Sequence, residues 1–211
     1  MKTKLTFAIL SCIIITLLGC AFGRHIPYEK MKVNVNYSGP KSLSLSVLDQ
    51  REMVVDHSRK PDFVGYTRSG VGIAYPMGTQ SGKSFAEIIQ KVISESLTNK
   101  SFTVNNIPTS FNNSVDEIKN KFLSNSNDRL ILIKLNKLHS DYYSVTLFYY
   151  DVDLNIYDSN GNILISKNFK KDEKIGGSPW GTGKYKYYSP EYLENEIQSW
   201  LNDQQISEKL R

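Results

Sequence analysis

The sequence predicts an α+β fold: a mixed, largely antiparallel sheet with two or three helices packed on one face. Three observations carry this. Two Ser-x-x-Glu signatures, Ser84…Glu87 and Ser114…Glu117, each precede apolar residues at helical spacing. Leu130-Ile131-Leu132-Ile133 is apolar on both parities, as a central strand requires. Two long runs of alternating residues, 143–157 and 163–169, flank Asn160-Gly161, a strong hairpin signal.

The elements follow in order. Leu43, Leu45 and Val47 alternate with Ser42, Ser44 and Ser46, which predicts a half-buried strand ending at Asp49-Gln50-Arg51. Residues 52–83 form a polar, glycine-rich excursion, with Phe63–Tyr66 and Val71–Tyr75 as short strands. The first helix covers 84–97 and buries Phe85, Ile88, Ile89, Val92, Ile93 and Leu97. A short strand lies at Phe102–Val104. The second helix starts at Ser114 and buries Val115, Ile118, Phe122 and Leu123. In 143–157 the apolar parity changes, from Val145 and Leu147 to Val152, Leu154 and Ile156. That predicts a bulge or bend near Phe148–Asp151, and Asn160-Gly161 predicts a type I′ turn with both residues at positive φ. The third helix is expected from Ser189, with Pro190 at its first position and Leu193, Ile197, Trp200 and Leu201 buried.

The first twenty residues set the address. Lys2 and Lys4 precede an apolar stretch, Leu5–Leu18, too short to span a bilayer comfortably. It ends Leu17-Leu18-Gly19-Cys20, which resembles a bacterial lipobox. The resemblance implies diacylglyceryl transfer to the Cys20 thiol, cleavage after Gly19, and acylation of the new amino terminus with chains such as palmitate. Ala21, where an Asp signals inner-membrane retention in enterobacterial lipoproteins, suggests the outer membrane with the body in the periplasm. An ordinary secretory signal with a chance Cys is the alternative. The expected organisation is a signal peptide at 1–19, a lipidated N-terminus and tether at 20–37, and one periplasmic domain at 38–211.

Cysteine and charge narrow the function. The two cysteines are Cys12, which leaves with the signal, and Cys20, so the mature chain has no disulfide and no free thiol. Removing Lys2 and Lys4 leaves 24 basic residues against 21 acidic, a net charge of +3. That is too mild and too evenly spread for a nucleic-acid partner. Met77–Ile89, MGTQSGKSFAEII, superficially has the form of a phosphate-binding loop. Only three residues separate Gly78 from Gly82, one too few, and Gly72 and Pro76 weaken the lead-in strand. A capping box explains the stretch better, so no nucleotide is expected. His25, His57 and His139 show no metal-ligand spacing, there is no Gly-x-Ser-x-Gly, and no cofactor or metal is expected. Asp151 and Asp153 share a strand face, and a solvated polar face accounts for them better than acid–base chemistry does.

The lipobox, the strand ending in Asp49-Gln50-Arg51, the first helix, the short strand, the long hairpin and the C-terminal helix together look like the YajG-type bacterial outer-membrane lipoproteins. The chain departs from that pattern in its 52–83 excursion and its Tyr-rich 176–189 segment. The resemblance implies an envelope location and binding of proteins or lipids, with no catalytic residue to carry over. Asp49 and Arg51 are a candidate pair, either structural or ligand-binding. The loop Gly176–Tyr188 holds Trp180, Tyr185, Tyr187 and Tyr188 in a Gly-rich frame. These rings are candidates for partner binding, or they fold back over the sheet edge. The function expected is a non-enzymatic outer-membrane lipoprotein that binds a protein or lipid partner in the envelope. The alternatives are an auxiliary subunit of an envelope transport or assembly complex, and an enzyme acting on cell-wall or lipid substrates.

Overall fold

The computed structural model describes residues 24–177 and 185–211. Among these residues, eight strands form one mixed sheet curled into a half-barrel, with five α-helices. The elements are β1 (Arg24–Ile26), a 3-10 turn (Tyr28–Lys30), β2 (Ser42–Asp49), α1 (Glu52–Val55), β3 (Phe63–Arg68), β4 (Ala74–Thr79), α2 (Phe85–Thr98), β5 (Thr103–Asn106), α3 (Val115–Leu123), β6 (Arg129–Tyr142), β7 (Thr146–Asp158), β8 (Ile163–Gly176), α4 (Tyr185–Leu201) and α5 (Gln204–Leu210). The expected α+β class with a mixed sheet is the fold the chain adopts.

β6 is the axis. β7 and then β8 pair along one edge, both antiparallel. The other edge is shared: β2 runs parallel to it over Arg129–Leu135, and β3 parallel over Ser140–Tyr142. The sheet therefore forks between Leu135 and Ser140. Gly65, at φ +151, permits the close approach of β3 to β6; a Cβ there would lie 2.2 Å from the Ser140 carbonyl oxygen. β4 pairs antiparallel with β3, and β1 parallel with β4. Pro76 sits in β4 just beyond the reach of β1, where that edge of the strand is open and a missing N–H is tolerated. The excursion is thus part of the sheet.

Both faces are covered along the lower half of β6. α2, α4 and α5 pack one face through Phe85, Ile89, Ile93, Ile197, Trp200 and Leu210, against Ile131, Ile133 and Leu135. α3 covers the other through Ile118 and Phe122, against Leu48, Leu130 and Leu132. This is why Leu130–Ile133 reads apolar on both parities. It also buries the serines of β2: Ser44 and Ser46 are fully buried, not half-exposed, and Asn127 Nδ2 donates to Ser44 Oγ at 2.8 Å. On α3, Leu123 is exposed, contrary to expectation.

Three local expectations change. The parity shift lies in β6, where Asn136 is the extra residue between paired Leu135 and Lys137; β7 keeps Phe148, Tyr150, Val152, Leu154 and Ile156 inward without a break. Val145 belongs to the turn before β7, and Leu147 lies on its outer face. The hairpin loop is three residues, closed by Gly161 N–H donating to the Asp158 carbonyl, with positive φ at Gly161 and not at Asn160. The Asp158 carboxylate accepts from the backbone of Asn160 and Asn162 and holds this shape. α4 begins at Tyr185, so Pro190 stands inside it rather than at its first position.

The segment 24–37, expected to belong to a tether, is packed on the body. Tyr28, Met31, Val33, Val35 and Tyr37 are buried. Between them the outward backbone is held by one side of α4 and the residue just past its end: Lys32 N–H donates to Glu194 (2.7 Å), Asn34 N–H to Gln198 (3.2 Å) and Asn36 N–H to Asn202 (2.7 Å). Four helical residues rise ~6 Å and two extended residues ~6.6 Å, so the two rows keep step.

Candidate functional site

Asp49 and Arg51 meet at the fork of the sheet. Arg51 Nε and one terminal nitrogen donate to the two Asp49 oxygens at 2.8 and 2.7 Å. The remaining donors reach the carbonyls of Phe63 (2.6 Å), Leu138 (3.2 Å) and Pro61 (3.2 Å), and the guanidinium lies 5.4 Å from the Phe85 ring centroid. Arg51 is 1% exposed. Every donor of the fork is engaged, so no donor remains for a ligand, and the geometry is that of a clamp between β2, β3, β6 and α2.

The Met77–Ile89 stretch ends β4, turns, and enters α2. Ser84 Oγ accepts from Glu87 N–H at 3.1 Å and caps the helix. Glu87 does not complete the box; its carboxylate pairs with Lys83 at 2.8 Å. The Ser81 N–H and hydroxyl both donate to Glu29, at 2.7 and 2.6 Å. A carboxylate of the chain itself thus stands where a phosphate loop would hold an anion. The full reciprocal capping box forms at Ser114 and Glu117.

On the outer face of the upper sheet a row of rings crosses β3, β6 and β7. His139 stacks on Tyr149 with centroids 4.9 Å apart, and Tyr66 meets His139 edge-on. Lys137 Nζ lies 4.5 Å over Tyr149, and Arg59 5.4 Å over Tyr66. Burial, with the Lys137 cation beside it, lowers the His139 pKa to about 4, so the ring is neutral near pH 7. Its Nδ1 has no hydrogen-bond partner, so no group orients it as a base. Asp151 and Asp153 do share a face; the amides of Asn136 and Asn168 bridge them, and Lys170 binds Asp151 at 2.7 Å. That lysine hydrogen bond, followed by the Asn168 amide, holds the Asp151 carboxyl below its ordinary range. Among the described residues no group of three His, Cys, Asp or Glu side chains could hold a metal. Two clefts, of about 280 and 140 Å³, are lined by His25, Arg59 and Asp62 and by Glu29, Ser81 and Lys83. The smaller lies well below the ~300 Å³ at which ligand pockets begin, and the larger is at that lower bound.

Among the described residues three of the six exposed large hydrophobic side chains lie together at one end of the half-barrel, while Leu123 and Ile163 lie at the other end and Val55 on α1. The β3–β4 turn carries Val71 and Ile73, 83% and 56% exposed, and the β6–β7 turn carries Tyr143, 49% exposed. The turns touch: Tyr143 Oη donates to the Gly70 carbonyl at 3.0 Å, and Arg68 binds Asp141 bidentately. β8 finishes here too. Gly177, at φ +120, lies so close to the β6–β7 turn that a Cβ would be 2.6 Å from Val145 Cα, and Tyr188 packs on Gly176. The described chain on either side of 178–184 therefore lies at this end. Trp180 and the side chains of Tyr185 and Tyr187 lie outside the described residues, as does Cys20; Tyr188 is half-buried. Sequence reasoning missed Val71 and Ile73 as surface residues. The signal was Ser69-Gly70-Val71-Gly72-Ile73, apolar side chains set between glycines, which reads as a turn displaying them rather than as a strand.

No family model and no curated protein matches the chain. Solved structures do. Protein XCC0632 from Xanthomonas campestris, of family DUF330, is similar at a TM-score of 0.52 and 11% identity over 85% of this chain and 95% of that one. The PelC dodecamer from Paraburkholderia phytofirmans follows at 0.47 and 10%, over 81% and 91%. Lipoprotein GNA1162 from Neisseria meningitidis aligns at 0.32 and 14%, over 78% and 100%. At these identities the likeness to XCC0632 is one of fold.

Proposed function

We propose that the chain is a non-enzymatic lipoprotein of the bacterial envelope, of the YajG type, anchored through Cys20 in the outer membrane, with its body in the periplasm binding a protein or lipid partner. The observation that supports it best is the distribution of surface chemistry. The ionisable side chains of the fork clamp, Asp49 and Arg51, and Asp151 and Lys170 on the outer face are engaged with one another. Val71, Ile73 and Tyr143, three of the six exposed large hydrophobic side chains among the described residues, lie together at the end where the chain flanking 178–184 lies. Such a patch fits contact rather than catalysis. Among the described residues no helix is long and apolar enough to cross a membrane, so the lipid is the anchor this reading needs.

Metabolic labelling with a fatty acid tests the anchor: Cys20→Ala is expected to lose all label, and label retained in that variant ends the lipoprotein reading. Crosslinking in whole cells tests the partner. Trp180→Ala is expected to lose the captured species with its melting temperature unchanged, because truncating a central aromatic anchor costs ~2 kcal/mol or more of binding. A much lower melting temperature makes Trp180 a core residue instead.

A further inference from the structure

The hairpin end carries a more specific assignment. We propose that it is a membrane-contact surface: Val71, Ile73 and Tyr143 enter the headgroup region of the bilayer that holds the Cys20 anchor, and the half-barrel stands on that end. The inference rests on the lipoprotein reading above and adds an orientation and an occupant to it.

Chain direction comes first. β1 runs parallel to β4, with Arg24 opposite Met77. β4 begins at Ala74, directly after the Val71–Ile73 turn, so it runs away from that turn, and β1 does the same. The chain upstream of Arg24 therefore approaches from the side of the turn. Met77 lies three residues from Ala74, ~10 Å along the strand. Cys20 is four residues upstream of Arg24, a reach of at most ~14 Å. An anchor on Cys20 therefore draws the Val71–Ile73 turn to the bilayer. The opposite end of the sheet, with exposed Leu123 and Ile163, lies a β7 length away, ~40 Å, beyond that reach.

The turn is also built to leave water. Three of its N–H groups are satisfied internally: Ser69 N–H donates to the Ile73 carbonyl (2.9 Å), Gly72 N–H to the Ser69 carbonyl (2.9 Å), and Ile73 N–H to Ser69 Oγ (3.2 Å). Arg68 donates to the Gly72 carbonyl and to Asp141, and the Tyr143 hydroxyl donates to Gly70. An apolar tip with most of its turn bonds made internally suits the interfacial, partly hydrated level of a bilayer. Tyrosine suits the headgroup level. Arg24, exposed beside Thr67, puts a cation there as well, where anionic lipids attract it.

The test uses the lipidated mature protein, reconstituted in vesicles of phosphatidylethanolamine and phosphatidylglycerol. Thioether formation blocks Cys20, so Val71→Cys, Ile73→Cys and Leu123→Cys each offer a single thiol for an environment-sensitive fluorophore. Probes at 71 and 73 are expected to shift to the blue and to be quenched by lipids spin-labelled near the headgroup, while the probe at 123 stays open to an aqueous quencher. Equal aqueous access at 71, 73 and 123 overturns the proposal. A blue shift that needs no vesicles overturns it too, and assigns the tip to a second copy of the chain. The mass of the purified protein separates the two readings: no lipid on Cys20 means that the anchor reading has failed, whereas lipid present with aqueous tip probes sinks the orientation alone.

Discussion

At the scale of single residues, Arg51 has the largest structural task. Where β2 ends and β3 has not yet begun, its guanidinium takes the place of a strand, binding the Leu138 and Phe63 carbonyls while Asp49 neutralises it. Arg51→Ala would leave the Asp49 carboxylate buried and unpaired, and a loss of ~3–5 kcal/mol in urea denaturation is expected. Arg51→Lys should recover little, because a point charge cannot serve the fork. A loss in Arg51→Ala of less than ~1 kcal/mol, the size of a surface pair, would refute the clamp. The pair itself was legible, since Asp49 and Arg51 share a parity at a strand end. Its purpose was not, because the carbonyls it serves come from Pro61, Phe63 and Leu138, brought there only by tertiary closure.

At the scale of elements, α2 and α3 were legible because cap and apolar period agree at the same residues. The β6 bulge was not: Asn136 has no local signal, and Val145 and Leu147 mimicked a parity change one strand too late. The packed 31–37 segment was missed for a different reason. Its alternation, Met31, Val33, Val35 and Tyr37, is that of a strand, yet its backbone partners are side chains of α4 and of Asn202 beyond it, more than 160 residues onward, rather than another strand. Gln198→Ala should open the middle of this row. Faster hydrogen exchange at the Asn34 amide and a loss of ~0.5–1.5 kcal/mol are expected, the usual worth of one such bond. Unchanged protection at Asn34 would show that burial of Val33 and Val35 alone holds the segment.

At the scale of the whole molecule, stability should fall toward acid. Asp128 is held below its ordinary range by the Ser42 backbone N–H, and Asp158 by that of Asn162, as Asp151 is by Lys170. His139 is lowered from 6.5 to about 4 by burial. In each case the folded pKa lies below the unfolded one, so the stabilisation is complete above the unfolded value and is lost as pH drops through the folded one. The first loss, between pH 6.5 and about 4, belongs to His139, and the carboxylates follow below it. Denaturant midpoints measured across that range should decline, and His139→Phe should flatten the upper part; a level profile in the native protein would contradict the burial of a neutral ring. The expected address and aromatic loop rest on residues outside the described ones, whereas the end on which the body is proposed to stand depends on the β1–β4 pairing, a contact some fifty residues apart in the chain that no local pattern announces. That same pairing has a mechanical consequence. A pull on the chain upstream of Arg24, directed along the strand, loads the three-residue β1–β4 ladder in shear, with its bonds sharing the force instead of parting in turn. Once it slips, the fourteen residues 24–37 peel from β4 and then from α4, and could lengthen the leash by about 45–50 Å before the tension meets β2 at the centre of the sheet.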